Sequence, residues 1–124
     1  MRWGIGSIIR VMDDCIFCRI VRGAIPSDIV LEDDLFVAFR DIDPKAPQHV
    51  LIVPREHIVS LNELEQWQDC QGHALLQFIV RVAETLGIDQ SGYRALTNVG
   101  PDGGQEVSHL HFHILGGRKL GDLG

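Results

Sequence analysis

The sequence predicts an α+β domain in which an antiparallel sheet of about five strands packs against one short and one long helix. Short runs rich in β-branched and aromatic residues are separated by turn residues, and most lie close enough in sequence to pair as hairpins. One longer stretch repeats apolar residues at helical spacing. The 124 residues suit a single domain that buries its own core.

The first half of the chain predicts a short helix followed by three strands. "IFCRIVRG" repeats apolar residues at the i, i+4 spacing of a helix, which Gly23 and the turn at Pro26 end. "DIVLED" and "LFVAFRDI" are predicted to form a hairpin around an acidic turn at residues 32–34. After the loop "DIDPKAPQ", the third strand "HVLIVP" stops at Pro54, because proline cannot donate to a sheet ladder.

The second half predicts the long helix and two more strands. The helix is expected from about Glu65 to Leu86, with Gly87 as its cap. "YRALTNV" and "SHLHFHIL" are the last strands, joined by the glycine-rich turn "GPDGGQE", which has hairpin length. The apolar residues that recur along the helix are Leu75, Leu76, Ile79, Val80, Val82, Ala83 and Leu86.

Composition narrows the class of protein. An apolar fraction of 45%, a charged fraction of 23% and a formal net charge of -6 are ordinary for a globular protein and give no general attraction for polyanions. We therefore expect no nucleic-acid partner and no membrane association, although a small nucleotide needs only a local pocket of donors.

Sparse cysteines and no secretory pattern predict a cytoplasmic protein. Residues 1–11 are expected to be a disordered extension or an upstream start, with the domain at 12–124 and Met12 as the natural start.

Three histidines alternate along the last predicted strand. On an extended strand His109, His111 and His113 share one face, while the alternate apolar residues face the core. The row could face water, ligate a catalytic metal as H-x-H, or act on phosphate with one imidazole as nucleophile or base. The run Gly100, Gly103 and Gly104, with Asn98 and Gln105 as neutral donors, favours phosphate, since glycine lets backbone N–H groups approach an anion.

Cys15 and Cys18 form a C-x-x-C pair, which is ambiguous between a metal clip and a redox pair. No βαβ thioredoxin pattern surrounds the pair, so a metal is the favoured interpretation. Reduced thiols packed against the sheet are the alternative.

The stretch from His109 to Leu115 resembles the His-φ-His-φ-His-φ-φ signature of the histidine triad family of nucleotide hydrolases and transferases. "CIFCRIVRGAIP", "AFRDIDPKAPQHVLIVPREH" and "NVGPDGGQEVSHLHFHILGGR", in that order, resemble its nucleoside phosphoramidase branch over about residues 14–118. That branch acts on purine nucleotide conjugates such as those of AMP or GMP.

The resemblance implies a role for each matching residue. The middle histidine, His111, attacks the α-phosphorus and forms a nucleotidyl-imidazole that water releases. His113 and His49 hold the phosphate and order the row. The anion site is completed by Asn98, Gly104 and Gln105, the ribose is held by Asp41 with Ile42 beside it, and the purine cleft is formed by Phe17, Ile16, Ile20, Phe39 and Leu51.

The resemblance also implies a cofactor and an assembly. Some zinc-bearing members use a histidine pair that matches His57 and His109, which would complete a structural zinc site with Cys15 and Cys18 and leave His111 free. No organic cofactor is expected. A homodimer is expected, in which the long helix and "YRALTNV" meet their copies and the two sheets continue as one.

The sequence departs from the phosphoramidase pattern at two places. Glu106 stands where the best-known phosphoramidases have a serine that assists the leaving amine, and the tail "RKLGDLG" lacks their tryptophan.

Two alternative functions remain. A dinucleoside polyphosphate hydrolase shares the triad, but "GGQEVSHLHFH" argues against it. A nucleotide- or partner-binding regulatory module with incidental hydrolysis is the alternative of another class.

Overall fold

The structure, a computed structural model, describes residues 14–68 and 70–122, so the extension predicted at 1–11 lies outside the described residues. Its strands form one antiparallel sheet in the order β1-β2-β3-β5-β4. They span β1 (Ile29–Glu32), β2 (Phe36–Arg40), β3 (Gln48–Pro54), β4 (Tyr93–Leu96) and β5 (Phe112–Gly116). The helices are α1 (Ile16–Val21) and α2 (Gln71–Leu86), and a 3₁₀ helix occupies Leu61–Gln66. The predicted α+β architecture is confirmed.

The central strands β2 and β3 are buried on both faces, and alternate residues serve the two helices. One face packs under α2 in a cluster that includes Phe36, Ile52 and Phe78. The other face packs under α1 in a second cluster of Phe17, Val37, Phe39, Leu51 and Val53. The apolar cluster on the α1 face is therefore smaller than the one under α2. It lies beside the loop that follows β2 and the segment that leads into β5.

The long helix is shorter than predicted. It begins at Gln71, because Cys70 before it adopts a left-handed conformation with φ 73° and Trp67 is extended. Of the residues predicted to begin the long helix, Glu65 and Gln66 belong instead to the end of the 3₁₀ helix, which starts where the Ser60 hydroxyl accepts from the Asn62 amide at 3.1 Å. None of the described helices has the length and apolar character needed to cross a membrane.

The last strand is also shorter than predicted. Its ladder starts at Phe112, so His109 and His111 precede β5, and the connection from β4 runs over residues 97–111 instead of a short hairpin turn. The approach to β5 leaves the ladder because the Leu110 amide donates to the Ile58 carbonyl at 2.7 Å. The Thr97 hydroxyl donates to the His111 carbonyl at 2.6 Å, which holds this approach beside the end of β4.

Candidate active site

His49 and His113 lie side by side on the α1 face of the sheet. Leu51 of β3 pairs with His113 of β5, so His49, two residues earlier, is a diagonal neighbour on the same face. The Nε2 of His49 is 3.0 Å from the Nδ1 of His113, and the ring centroids are 5.2 Å apart. The sheet register therefore brings together two imidazoles that are 64 residues apart in sequence.

The backbone amide of Lys45 fixes which nitrogen carries the proton in both rings. It donates to the Nδ1 of His49 at 3.0 Å, so the neutral His49 ring carries its hydrogen on Nε2. That hydrogen is donated to the Nδ1 of His113, which leaves His113 with its own hydrogen on Nε2. His113 is thereby set to donate from Nε2 to an acceptor outside the pair.

Burial keeps these two rings neutral near pH 7. Burial, together with smaller effects of the neighbouring His111 and His49 rings, lowers the pKa of His113 to about 4. Burial also lowers the pKa of His49, and the carboxylate of Asp41 opposes this shift without overcoming it. Neutral imidazoles retain the lone pairs and the single N–H groups on which the tautomer assignment depends.

One ring nitrogen of His111 is hydrogen-bonded to the backbone, and the other carries a lone pair that can react. Its Nδ1 lies 2.8 Å from the backbone carbonyl oxygen of His109, an acceptor only, so Nδ1 carries the hydrogen and Nε2 carries the lone pair. The ring packs edge-on against Phe17 at 5.0 Å between centroids and stands 5.1 Å from the His113 ring. A buried imidazole with a fixed lone pair on Nε2 is an arrangement suited to nucleophilic attack.

An apolar cluster adjoins these histidines. Phe17, Phe39 and Leu51 are buried in the α1-side cluster, and the rings of Phe17 and Phe39 meet edge-on at 5.7 Å. Ile20 packs against the same cluster, whereas Ile16 is 47% exposed. The five residues predicted to hold a purine are therefore three buried residues, one partly buried residue and one exposed residue.

The loop after β2 carries the predicted ribose acid. Asp41 is half-buried, accepts from the Asp43 amide at 2.8 Å, and lies 3.5 Å from the Nε2 of His49. Asp43 is exposed and pairs with Lys45 at 2.9 Å, an ion pair that lowers the pKa of its carboxyl. Ile42 is fully exposed. Of these side chains, only that of Asp41 reaches the histidine pair.

The glycine turn closes on itself. The side-chain amide of Asn98 donates to the Gly103 carbonyl at 2.6 Å, and the Gly100 amide donates to Oε1 of Gln105 at 3.0 Å. A Cβ at Gly103 would lie 2.3 Å from the Val99 carbonyl oxygen, so only glycine fits there. Gly104 adopts a left-handed φ of 77°. The turn is thus pre-shaped by its sequence.

Gln105 does not stand free as a donor. Its Nε2 donates to the carbonyl oxygens of Val59 at 2.6 Å and Val107 at 2.9 Å. The side chain therefore ties the glycine turn to the segment after β3, and it can contact an anion only if one of these bonds is exchanged.

A second cluster lies behind the histidine row, where Cys15, Cys18, His57 and His109 place their ligand atoms within 4.8 Å of one another. The sulfur-to-Nδ1 distances are 3.3 Å for Cys15 to His109, 3.3 Å for Cys18 to His57 and 3.6 Å for Cys18 to His109. When zinc binds sulfur at about 2.3 Å and nitrogen at about 2.0 Å in tetrahedral geometry, the ligand atoms are separated by about 3.5 Å. The donor set and its spacing fit zinc.

The tautomer of His109 supports the same assignment. Its Nε2 lies 3.0 Å from the Pro54 carbonyl oxygen and so carries the hydrogen, which leaves the Nδ1 lone pair directed at the thiols. Asp41, His49 and His113 form another group of close ligand atoms, but Nε2 of His49 carries a hydrogen there and has no lone pair for a metal. Of the two groups, the cluster that contains the cysteines is therefore the better metal site.

Comparison with known proteins decides the family. A profile of the HIT domain matches residues 22–120. This chain belongs to the HIT family. It is 44% identical to the purine nucleoside phosphoramidase of Escherichia coli K12 over 111 residues, which is 90% of this chain and 93% of that protein. It is 49% identical to an uncharacterized HIT-like protein of Synechococcus elongatus over 109 residues, 87% of this chain and 94% of that protein.

Solved structures give the same result. A histidine triad protein from Clostridium difficile superposes with a TM-score of 0.85 at 45% identity, covering 91% of this chain and 98% of that one. A HIT family hydrolase from Clostridium thermocellum gives a TM-score of 0.81 at 41% identity, with coverage of 91% and 98%. The family resemblance and the fold expected from the sequence are confirmed.

Two residues of this HIT site carry no signal in the sequence. Lys45 acts through its backbone amide, which any residue but proline would supply. Thr97 acts through a hydroxyl bonded to the His111 backbone, which resembles an ordinary end-of-strand threonine. Both become visible only once the loops around the HIT histidines are seen together.

Proposed function

We propose that this protein hydrolyses purine nucleoside phosphoramidates or aminoacyl-adenylates through a nucleotidyl intermediate on His111. The observation that carries the proposal is the bond from Nδ1 of His111 to the His109 carbonyl, which leaves Nε2 as the nucleophile. The 44% identity to a purine nucleoside phosphoramidase over most of both chains supports the substrate class.

The reaction follows from the protonation of the three rings. Nε2 of His111 forms a bond to the α-phosphorus while the bond from phosphorus to the leaving group breaks. In a phosphoramidate the phosphorus–nitrogen bond breaks and the departing nitrogen takes one proton from solvent; in an aminoacyl-adenylate the phosphorus–oxygen bond breaks and the group leaves as a carboxylate. The His109 carbonyl stabilises the positive charge that develops on the His111 ring through its bond to Nδ1–H. Water then attacks phosphorus and loses a proton, and His111 leaves with its lone pair restored.

His113 and His49 serve the phosphate in this proposal. Because Nδ1 of His113 accepts from His49, its Nε2–H is directed away from the pair and can donate to a phosphate oxygen. The Nε2–H of His113 already points outward before the substrate binds, so the ring need not reorient during the reaction. Hydrogen bonds from donors that are positioned in advance contribute most to catalysis.

The nucleotide lies across the α1 face. The cleft of Phe17, Phe39 and Leu51, bordered by Ile16 and Ile20, takes the purine, and Asp41 accepts from the ribose hydroxyls. Asn98, Gly104 and Gln105 complete the anion site in this proposal. The backbone amides of Gly104 and Gln105 donate to the carbonyls of Pro101 and Gly100, so these bonds must be exchanged if the two amides are to contact the anion. Ile42 contributes only at the exposed edge.

A substrate panel tests this function. Adenosine phosphoramidates, aminoacyl-adenylates and dinucleoside polyphosphates should be compared by kcat/KM, alongside the affinity for AMP. The proposal expects the first two to be turned over most efficiently. Preference for the dinucleoside polyphosphates would indicate the other branch, and tight AMP binding without turnover would indicate a binding module.

A structural zinc held by Cys15, Cys18, His57 and His109 is part of the proposal. The sparse cysteines of the sequence fit a reducing, cytoplasmic location. When bound, zinc would supply folding free energy to this corner of the molecule and no step of the reaction. The residues themselves hold α1 against the approach to β5.

A homodimer is the proposed assembly. Leu76 and Val80 of α2 are 60% and 48% exposed, on the side of the helix away from the core. In the described sheet β4 is an edge strand that pairs only with β5. An apolar helix face beside an open sheet edge is the pattern that a second copy covers.

A further inference from the structure

Cys15 and Cys18 lie close enough together to react with each other as well as to bind a metal. Their sulfur atoms are within 4.8 Å of one another. Cys15 is the residue before α1, and its sulfur accepts from the Cys18 backbone amide at 3.5 Å, so its side chain already bends back over the first turn of the helix. Side-chain rotation is then the movement that would bring the two sulfurs to a bond of about 2.0 Å.

The two thiols differ in their access to solvent. Cys15 is half-buried and lines a cavity of about 440 Å³, whereas Cys18 is completely buried. The exposed residues Asp14 and Glu106 line the same cavity, so it reaches the surface on their side. An oxidant that enters the cavity therefore meets the sulfur of Cys15 first, and Cys18 is placed to react with Cys15 once that sulfur has been modified.

The cavity favours a small, uncharged oxidant. The carboxylates of Asp14 and Glu106 repel an anion that approaches the Cys15 sulfur. Hydrogen peroxide and small alkyl hydroperoxides are neutral and little larger than water. Glutathione disulfide, the common alternative oxidant of thiols, is anionic and much larger. The chemical class that best fits this access is therefore a hydroperoxide.

We propose that Cys15 and Cys18 form a modification site at which a hydroperoxide oxidises the two thiols to a disulfide. The inference does not depend on the catalytic role proposed for His111. A disulfide removes two of the four donors of the proposed zinc site, and the remaining imidazoles of His57 and His109 do not complete a tetrahedral site. Oxidation therefore releases the metal.

The oxidation needs one peroxide molecule for each pair of thiols. The Cys15 sulfur attacks one peroxide oxygen, the oxygen–oxygen bond breaks, and the other oxygen leaves as water, so that Cys15 becomes a sulfenic acid. The Cys18 sulfur then attacks the Cys15 sulfur, the sulfur–oxygen bond breaks, and a second water leaves. The thiols lose two electrons and two protons, and the peroxide takes both. Where the cysteines bind the metal as thiolates, solvent supplies the two protons.

Bonds that do not involve sulfur hold the surrounding segment in place. Nε2 of His109 donates to the Pro54 carbonyl at 3.0 Å, and the Leu110 amide donates to the Ile58 carbonyl at 2.7 Å. Both bonds can persist when the disulfide forms. We therefore expect the oxidised protein to keep its sheet, and a reductant to restore the two thiols.

Intact-mass spectrometry of the Cys70→Ser protein tests the inference, because Cys15 and Cys18 are then its only cysteines. Brief treatment with dilute hydrogen peroxide should lower the mass by about 2 Da, remove both thiols and release zinc to a chromogenic chelator in proportion. Dithiothreitol should restore the mass and both thiols. Glutathione disulfide at the same concentration should react about tenfold more slowly or less.

Single variants in the same background test the order of the two steps. Cys18→Ser should stop at a sulfenic acid on Cys15, which dimedone labels. Cys15→Ser is the matched control and should be labelled about tenfold more slowly, because its remaining thiol is buried. Melting temperatures identify a variant that fails to fold, in which case the mass change of the Cys70→Ser protein decides.

The outcomes separate this inference from the proposed function. Retention of both thiols after peroxide treatment, or a gain of oxygen without a disulfide, would overturn the modification site. Faster oxidation by glutathione disulfide, or faster labelling of Cys18 than of Cys15, would overturn the assigned oxidant or the assigned order. Reduced protein that contains no zinc would overturn the proposed metal site, and the mass change would still decide the thiol pair.

Discussion

The Nδ1 of His111 lies 2.8 Å from the backbone carbonyl oxygen of His109, and this bond links the two clusters of the molecule. The His109 side chain faces the thiols of Cys15 and Cys18, while its backbone fixes the tautomer of His111. One residue thus belongs to the proposed zinc site through its ring and to the proposed catalytic site through its carbonyl.

Metal analysis should find about one zinc per chain in protein prepared under reducing conditions. The Cys15→Ser, Cys18→Ser double variant should lose it, and a loss of roughly 2 kcal/mol of stability would lower the melting temperature by about 10 °C. Cys70→Ser, a change at an exposed cysteine outside the cluster, is the control and should retain the metal. Wild-type protein without zinc, and with unchanged melting in chelator, would rule the site out.

The pH dependence of stability should report on His113. Its pKa is about 4 in the folded protein and about 6.5 in an unfolded chain, so the unfolded state binds more protons between these values. The stability it contributes is complete above pH 6.5 and is lost as pH falls toward 4. His49 and His109 also have lowered pKa values, so His113→Gln should reduce, but not abolish, the slope of the urea-unfolding free energy across this window. His73→Gln, at an exposed position of α2, should leave the slope unchanged. An equal slope in wild type and His113→Gln would contradict the shift.

The exposed face of α2 should hold the dimer together. Leu76→Glu with Val80→Glu places two charges on that face and should convert the dimer to a monomer in sedimentation at micromolar concentration. Gln77→Glu adds a charge to an exposed polar position of the same helix and serves as the control. A wild-type protein that sediments only as a monomer would show the proposed assembly to be wrong.

Cys70 should be a site of stored backbone strain. Its φ of 73° is unfavourable for a residue with a Cβ, so Cys70→Gly should raise the free energy of unfolding by about 1 kcal/mol, after allowance for the greater freedom of glycine in the unfolded chain. Cys70→Ser keeps the Cβ and should leave stability near wild type. Urea unfolding of the three proteins measures the difference, and a destabilised glycine variant would contradict it.

The sequence carried strong signals for the sheet and weaker ones for the helix boundaries. Runs such as "LFVAFRDI" are β-branched or aromatic because β2 is buried on both faces, so the strands could be predicted. The start of α2 could not, because the left-handed Cys70 sits where glycine or asparagine would normally mark a turn. The signal that was overlooked is Ser60 followed by Glu63, which caps the separate 3₁₀ helix.

The candidate site was predictable in its residues but not in its hydrogen bonds. The alternation of histidine with apolar residues indicated the three histidines as site residues. The register between β3 and β5 explains why the His49 ring lies beside that of His113. The protonation of each ring depends on backbone groups, the amide of Lys45 and the carbonyl of His109, whose positions are set by loops that share no sequence pattern. The engagement of Gln105 with Val59 arises in the same way.

The most direct measurement is rapid-quench mass spectrometry during turnover of an adenosine phosphoramidate. The wild-type protein should show a nucleotidyl adduct on His111, within the peptide that contains "HLHFHIL". His111→Ala should fold, bind AMP and form no adduct, with kcat reduced by roughly a thousandfold or more. An adduct on His109 or His113, or near-normal turnover by His111→Ala, would contradict the account.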